Sequence, residues 1–272
     1  MVVPIISVLM TCYNSELTII ESIQSIIDQS YESWELIIID DGSTDGTINL
    51  ISEFADDRIK IVPLLKNFGR TYALNLGLKI AQGQYIAILD SDDVSESTRL
   101  ARQVDLLASR NDLVGVGTFF TTIDMIGNEI ARYDFDTSET AIKRQMAHNL
   151  LLVHSSMMYR RNSCLMAGGY TDKYVYAVDF ALWLELIQMG DIGAIPEYLT
   201  HIRINPNSIT RNETLEKHVI LDALRLYIAA QKVSDLHVND RLRGLRTIIF
   251  LSIKFCVFSL KRSIKIITNG TK

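Results

Sequence analysis

Two continuous apolar runs, Leu36-Ile37-Ile38-Ile39 and Tyr85-Ile86-Ala87-Ile88-Leu89, constrain this chain more than any other feature. A strand with one wet face alternates apolar and polar residues, whereas these runs predict strands covered on both faces, as in a parallel sheet. Each run ends abruptly in acids, Asp40-Asp41-Gly42-Ser43 and Asp90-Ser91-Asp92-Asp93. In open α/β sheets, ligands bind beyond the carboxyl ends of the strands. Carboxylates converging there repel one another unless a cation or donor groups sit among them. A divalent metal carrying a phosphorylated ligand is the expected guest.

The rest of the first half keeps the same rhythm. Ile5–Met10, Trp34–Ile39, Ile59–Pro63, Tyr85–Leu89 and Val114–Phe120 read as strands. Between them, Leu17–Gln29, a short segment capped by Asp45 and running to about Phe54, Thr71–Ala81 closed by Gly83, and Ser97–Arg110 read as helices. Repeated βα units predict an α/β fold with a mostly parallel, doubly wound sheet and helices on both faces. The second half is less regular. Gly127-Asn128 predicts a hairpin turn, Ser155–Arg160 and Tyr198–Ile204 strands, Gly168-Gly169 a turn, and Asp179–Met189 a helix, with helix again from Glu213 onward. One domain over 1–210 with a helical extension over 211–272 is the economical division.

The 272 residues carry a net charge of −5, but from Arg241 to Lys272 there are eight Lys/Arg and no acid. Arg243, Lys254, Lys261 and Lys265 share one helical face in that segment, which suits either an anionic membrane surface or a helix packed on the domain. Cys12, Cys164 and Cys256 have neither disulfide-framework nor zinc spacing, which fits a reducing compartment. No signal peptide or membrane-spanning run is read in the chain, and a cytoplasmic location is expected. No nucleic-acid partner is expected.

Asp90-x-Asp92 directly after a buried strand offers hard oxygen ligands suited to Mg²⁺ or Mn²⁺, with Asp93 or Asp90 as a turn cap the plainer alternative. Asp41, at the other strand end, suits a base N–H or a ribose hydroxyl, and Gly42 a tight turn. Tyr13 offers an aromatic face for a nucleobase or for ordinary surface packing. Asp179 precedes Phe180-Ala181-Leu182-Trp183-Leu184 and is by itself an ordinary N-cap.

Several segments together resemble family 2 glycosyltransferases of the GT-A fold. They are Ser7–Asn14, Asp40–Thr47, Asn67-Phe68-Gly69, Ala73-Leu74-Asn75-x-Gly77, Gly83–Asp93, Ser155–Arg161, Gly168-Gly169-Tyr170 and Asp179–Leu184, with the likeness ending near Thr210. The resemblance implies a nucleotide-sugar donor, a UDP-sugar by expectation, and an inverting transfer to a hydroxyl of a glycan or lipid-linked acceptor in cell-surface polysaccharide or lipopolysaccharide assembly. It implies that Thr11, Tyr13 and Asp41 hold the nucleobase, that Arg70 reaches the diphosphate, and that Asp90 holds the ribose beside the metal. Asp92 is then the metal ligand and Asp179 the catalytic base. Val178, Ala181 and Asn205 depart from the family pattern, which keeps open a silent homologue acting as an assembly partner. A sugar nucleotidyltransferase is the other alternative, although Thr11-Cys12-Tyr13-Asn14 lacks its glycine-rich phosphate loop. His154 reads as a hydrogen-bonded core residue.

Overall fold

A computed structural model describes residues 5–146, 152–174, 177–205, 216–231 and 238–251. Four parallel strands form its first half: β1 (Ile6–Cys12), β2 (Trp34–Asp40), β3 (Ile59–Pro63) and β4 (Tyr85–Ile88), in the spatial order β3-β2-β1-β4. The chain winds outward from β1 to β3, then returns to place β4 on the other side of β1. The crevice beyond the ends of β1 and β4 is therefore a topological switch point. Side chains alternate between two cores. Leu9, Ile37, Ile39, Ile86 and Ile88 face one, while Val8, Met10, Leu36, Ile38, Ala87 and Leu89 face the other. Burial on both sides explains why these strands carry no polar alternation. Helices α1 (Ile19–Ile27), α2 (Thr47–Ser52) and α4 (Arg99–Ser109) cover one face, and α3 (Arg70–Ile80) covers the other.

The second half completes one nine-stranded sheet. A short β5 (Val94–Ser95) is followed by the long β6 (Leu113–Ile123) and its hairpin partner β7 (Glu129–Tyr133), with α5 (Glu139–Met146) beyond. Strand β8 (Met158–Arg160) inserts antiparallel between β4 and β6. After α6 (Arg161–Met166) and α7 (Val178–Leu186), β9 (Asp191–Arg203) runs parallel to β6. Most of the pairing by length is parallel, and the antiparallel joins are short. Helix α8 (Glu216–Ala230) packs Leu226 and Ala230 into the core shared by α3 and α7. A further helical stretch covers 238–251. The expected domain division at 210 falls outside the described residues, as does the basic stripe from Lys254 to Lys265.

Four local expectations are corrected. Ser155 and Ser156 do not enter a strand: His154–Ser156 is a 3₁₀ turn, because both serine hydroxyls bond groups off the sheet. Gly83 does not close α3, which ends at Ile80. A Cβ there would lie 2.4 Å from the Ser7 nitrogen, so glycine admits the close approach of β1. Asp45 sits one residue before the N-cap, where its Oδ1 accepts from the Thr47 N–H at 3.0 Å and the Thr47 hydroxyl at 2.6 Å. Strand β9 begins seven residues before the expected Tyr198, and a register shift between Ile195 and Tyr198 absorbs Pro196.

Glu35 locks the parallel strands together from inside. Its carboxylate accepts from the Ser7 hydroxyl at 2.5 Å, the Lys60 ammonium at 2.6 Å and the Gln82 N–H at 2.7 Å. Burial pushes its pKa up, but the bonds from Lys60, Ser7 and Gln82 outweigh burial and hold it below the usual glutamate value. The unfolded chain therefore binds the proton more readily than the folded one. The stabilisation is complete above the unfolded value of about 4.3 and is lost as the pH falls through the lowered folded value. Urea unfolding from pH 6 downward is expected to show the loss. Glu35→Gln is expected to flatten that limb and to cost about 1–3 kcal/mol at neutral pH.

Candidate active site

Parallel register sets the end of β1 against the end of β2, with Cys12 opposite Asp40. The loops that follow are tied across each other. Asn14 adopts a left-handed φ of 52°, its N–H donates to the Ser43 hydroxyl at 2.9 Å, and its side-chain oxygen accepts from the Thr44 N–H at 2.8 Å. Gly42, at φ 75°, passes so close to Lys66 that a Cβ would lie 2.4 Å from its carbonyl carbon. Thr11 is half-buried on β1, and the Tyr13 ring, just beyond, is exposed. Asp41 is buried, and its two oxygens accept from the Phe68 N–H at 2.7 Å and the Gly69 N–H at 2.8 Å. It thus pins the entry of α3 beside the crevice, a structural task the sequence did not disclose. A carboxylate retains further lone pairs for a ligand donor.

Arg70 is the first residue of α3, directly after Gly69 at φ 96°. Its Nη2 donates to both oxygens of Asp90, at 2.7 and 2.8 Å, and meets His154 Nδ1 at 2.8 Å. His154 is buried and its Nε2 lies 2.9 Å from the Tyr170 hydroxyl. Burial favours the neutral form of Asp90, but Arg70 and His154 outweigh it and hold the carboxyl well below its usual range. Burial likewise opposes the Arg70 charge, and Asp90 and then Asp179 more than compensate, so the guanidinium pKa is raised. Asp179 is therefore within electrostatic reach of the Arg70–Asp90 pair, from the opposite half of the chain.

Asp92 differs from its neighbours. Its side chain takes no hydrogen bond from another residue among the described residues, and burial and the Asp90 charge push its pKa up to about 6. Asp93, by contrast, is a structural acid. It accepts from the Ser155 hydroxyl at 2.5 Å and the Arg203 N–H at 2.8 Å. Burial, Asp92 and Asp90 raise its pKa well above the usual range. Arg203 also donates to the Asp92 carbonyl at 2.9 Å and pairs with Glu21 at 2.5 Å, fastening β9 to the acidic loop. Arg99, fully buried, donates to the carbonyls of Ile88 and Ser155 from below, and burial lowers its pKa to about 10.

Asp179 lies in the first turn of α7, whose N-cap is Ala177, so it is not the cap itself. One oxygen accepts from the Phe180 N–H at 2.8 Å. A carboxylate at this end of a helix is favoured by the unpaired N–H groups there. Val178 and Ala181, the two departures beside it, are buried against the core. Ser155, Tyr170, Arg203 and Arg99 carry much of the site's support and were not read from the sequence as doing so.

The family model "Glycosyl transferase family 2" matches residues 7–166, well over half of the chain. The chain belongs to glycosyl transferase family 2. An uncharacterized glycosyltransferase of Haemophilus influenzae is 31% identical to this family member over 235 residues, 79% of the chain and 72% of that protein. The Escherichia coli UDP-Glc:alpha-D-GlcNAc-diphosphoundecaprenol beta-1,3-glucosyltransferase WfgD is 28% identical over 78% of the chain and 82% of its own. Among solved structures, Staphylococcus aureus TarS 1–349 in complex with UDP-GlcNAc superimposes with a TM-score of 0.72 at 18% identity, over 92% of this chain and 73% of that one. The Pyrobaculum calidifontis mannosyltransferase PcManGT, in complex with GDP-Man and Mn²⁺, gives 0.68 at 15% identity, over 98% and 75%. At these identities the likeness is one of fold, and the glycosyltransferase has the GT-A architecture expected of it.

Proposed function

We propose that this glycosyltransferase moves a hexosyl or N-acetylhexosaminyl group from a UDP-sugar to a hydroxyl of a glycan or lipid-linked acceptor, with inversion at the anomeric carbon. One observation carries the reading. The Arg70–Asp90 pair stands at the end of β4, beside Asp92, a carboxylate that takes no hydrogen bond from another residue among the described residues, and within the field of Asp179. Positive charge for a diphosphate and an oxygen ligand for a cation thus stand together at the end of β4, with Asp179 as the carboxylate proposed to act as base.

Asp92, with Asp90 beside it, suits Mn²⁺ or Mg²⁺: a hard oxygen donor whose pKa burial and the Asp90 charge raise in spite of Arg70 and Arg203. No group of three or more His, Cys, Asp or Glu gathers as a metal site among the described residues. Two carboxylates completed by substrate phosphates is the way such ions are usually held. A bound ion would supply charge against the departing diphosphate. Thr11, Tyr13 and Asp41 line the side assigned to the nucleoside, and Arg70 faces the diphosphate as well as Asp90. The acceptor oxygen attacks the anomeric carbon while Asp179 takes its proton. The bond from that carbon to the phosphate oxygen breaks, and the nucleoside diphosphate leaves with the electron pair. A single displacement inverts the centre.

The likeness to WfgD, a glucosyltransferase acting on a sugar diphosphoundecaprenol, supports a lipid-linked acceptor and a role in polysaccharide assembly. With it goes a peripheral location on the cytoplasmic face of a membrane, the catalytic domain being residues 1–210 and the helical extension 211–272. No helix among the described residues is long and apolar enough to cross a membrane. Thermal unfolding with a panel of nucleotide sugars, with and without Mn²⁺, tests the donor. A UDP-sugar at 100 times its Kd is expected to add about 2.7 kcal/mol of stability, and only with the ion present. Absence of a shift with every nucleotide sugar would sink the proposal.

A further inference from the structure

The helix over 238–251 is amphipathic in the wrong sense for a surface helix. Its inward side carries Asp240, which is 5% exposed and pairs with Arg144 of α5 at 3.5 Å, and the buried Gly244. Its outward side carries Val238, Leu242, Leu245 and Ile249, which are 73%, 51%, 49% and 50% exposed. These four stand at i, i+4, i+7 and i+11 and form one row along the helix. Phe250, 65% exposed, adds to the apolar surface. An ordinary surface helix turns such a row to the core. Here the row faces out, and a continuous exposed apolar surface marks an interaction site.

Arg241 and Arg246 border the row on either side at helical spacing, and the chain from Arg241 to Lys272 has eight basic residues and no acid. We propose that this face lies in the headgroup region of an anionic membrane, with the four aliphatic side chains entering the acyl boundary and the flanking arginines meeting lipid phosphates. A second copy of the chain fits less well. Two such faces brought together would set the arginines of one against those of the other, with no acid on either outward face to offset them, Asp240 being turned inward. The face named here also differs from the basic stripe of the sequence: aliphatic residues, not Arg243, lead into the lipid.

The inference deepens the membrane-held acceptor proposed above, but it is read without turnover. The full chain is sedimented with vesicles of phosphatidylcholine alone and of phosphatidylcholine mixed with phosphatidylglycerol. Wild type is expected to bind the mixed vesicles. Leu242→Ser/Leu245→Ser is expected to weaken that partitioning by about tenfold or more, and Leu242→Met/Leu245→Met to retain it. Unchanged circular dichroism and melting temperature would show that both variants fold. Wild type remaining in the supernatant, or the serine variant binding as well as wild type, would overturn the proposal. So would a dimer in solution that the serine variant breaks. Transfer to a water-soluble acceptor should be the same for wild type and the serine variant. Its absence from both would count against the enzymatic reading and leave the vesicle result standing.

Discussion

Asp179→Asn is expected to lower kcat by about 10²–10⁴-fold with little change in donor affinity. The substitution keeps shape and keeps an oxygen able to accept from the Phe180 N–H, so α7 starts as before. What it removes is the ability to take a proton from the acceptor hydroxyl. It also removes one of the two charges that raise the Arg70 pKa, but Asp90 still holds that guanidinium through both of its oxygens. Single-turnover rates at saturating donor, together with calorimetric titration of the nucleotide sugar, separate the two effects. Transfer at the wild-type rate would remove Asp179 from the chemistry.

Asp92→Asn should act in two opposite directions. In the presence of Mn²⁺ and a UDP-sugar, kcat is expected to fall by about 10²–10³-fold and donor affinity to lose its dependence on the ion. Without ion or donor, the same variant is expected to melt at a higher temperature than wild type. Asp92 is partly buried, is repelled by Asp90 and takes no hydrogen bond from another residue among the described residues, so its charge costs stability when nothing neutralises it. The order of melting temperatures should reverse when Mn²⁺ and donor are added. A variant as unstable as wild type in the empty state, or one whose donor affinity still follows the ion, would show that Asp92 is not the ligand.

The signals that single out these two positions are local. The apolar run ending in Asp90-x-Asp92 states both burial and strand end within a few residues, and Asp179 stands at the start of an apolar helix. The inner parallel strands were legible for the same reason: burial on two faces leaves no polar residue between Leu36 and Ile39. Features that depend on distant partners were not. Nothing near Arg99 in the sequence marks it as a core residue, yet it is fully buried, with the carbonyls of Ile88 and Ser155 accepting from it. Ser155 reads as strand until Asp93 is placed beside it. Gly83 reads as a helix terminator until β1 is packed against it. The tail shows the same limit, since charge counting finds its basic residues but not which side of the helix faces out.

The insertion of β8 between β4 and β6 bears on how the enzyme is made. Asp90 and Asp92 leave the ribosome long before Ser155, Arg203 and Asp179, and β4, already paired with β1, waits some seventy residues for its second partner, β8. Until β8 docks, Asp93 lacks Ser155 and Arg99 lacks one of its carbonyls, and until β9 follows the acidic loop lacks Arg203. Pairing across such separations closes late in folding. A nascent or truncated chain ending before β9 therefore carries the acids without the Arg203 fastening, and the acidic loop is set only when the last strand of the sheet is in place.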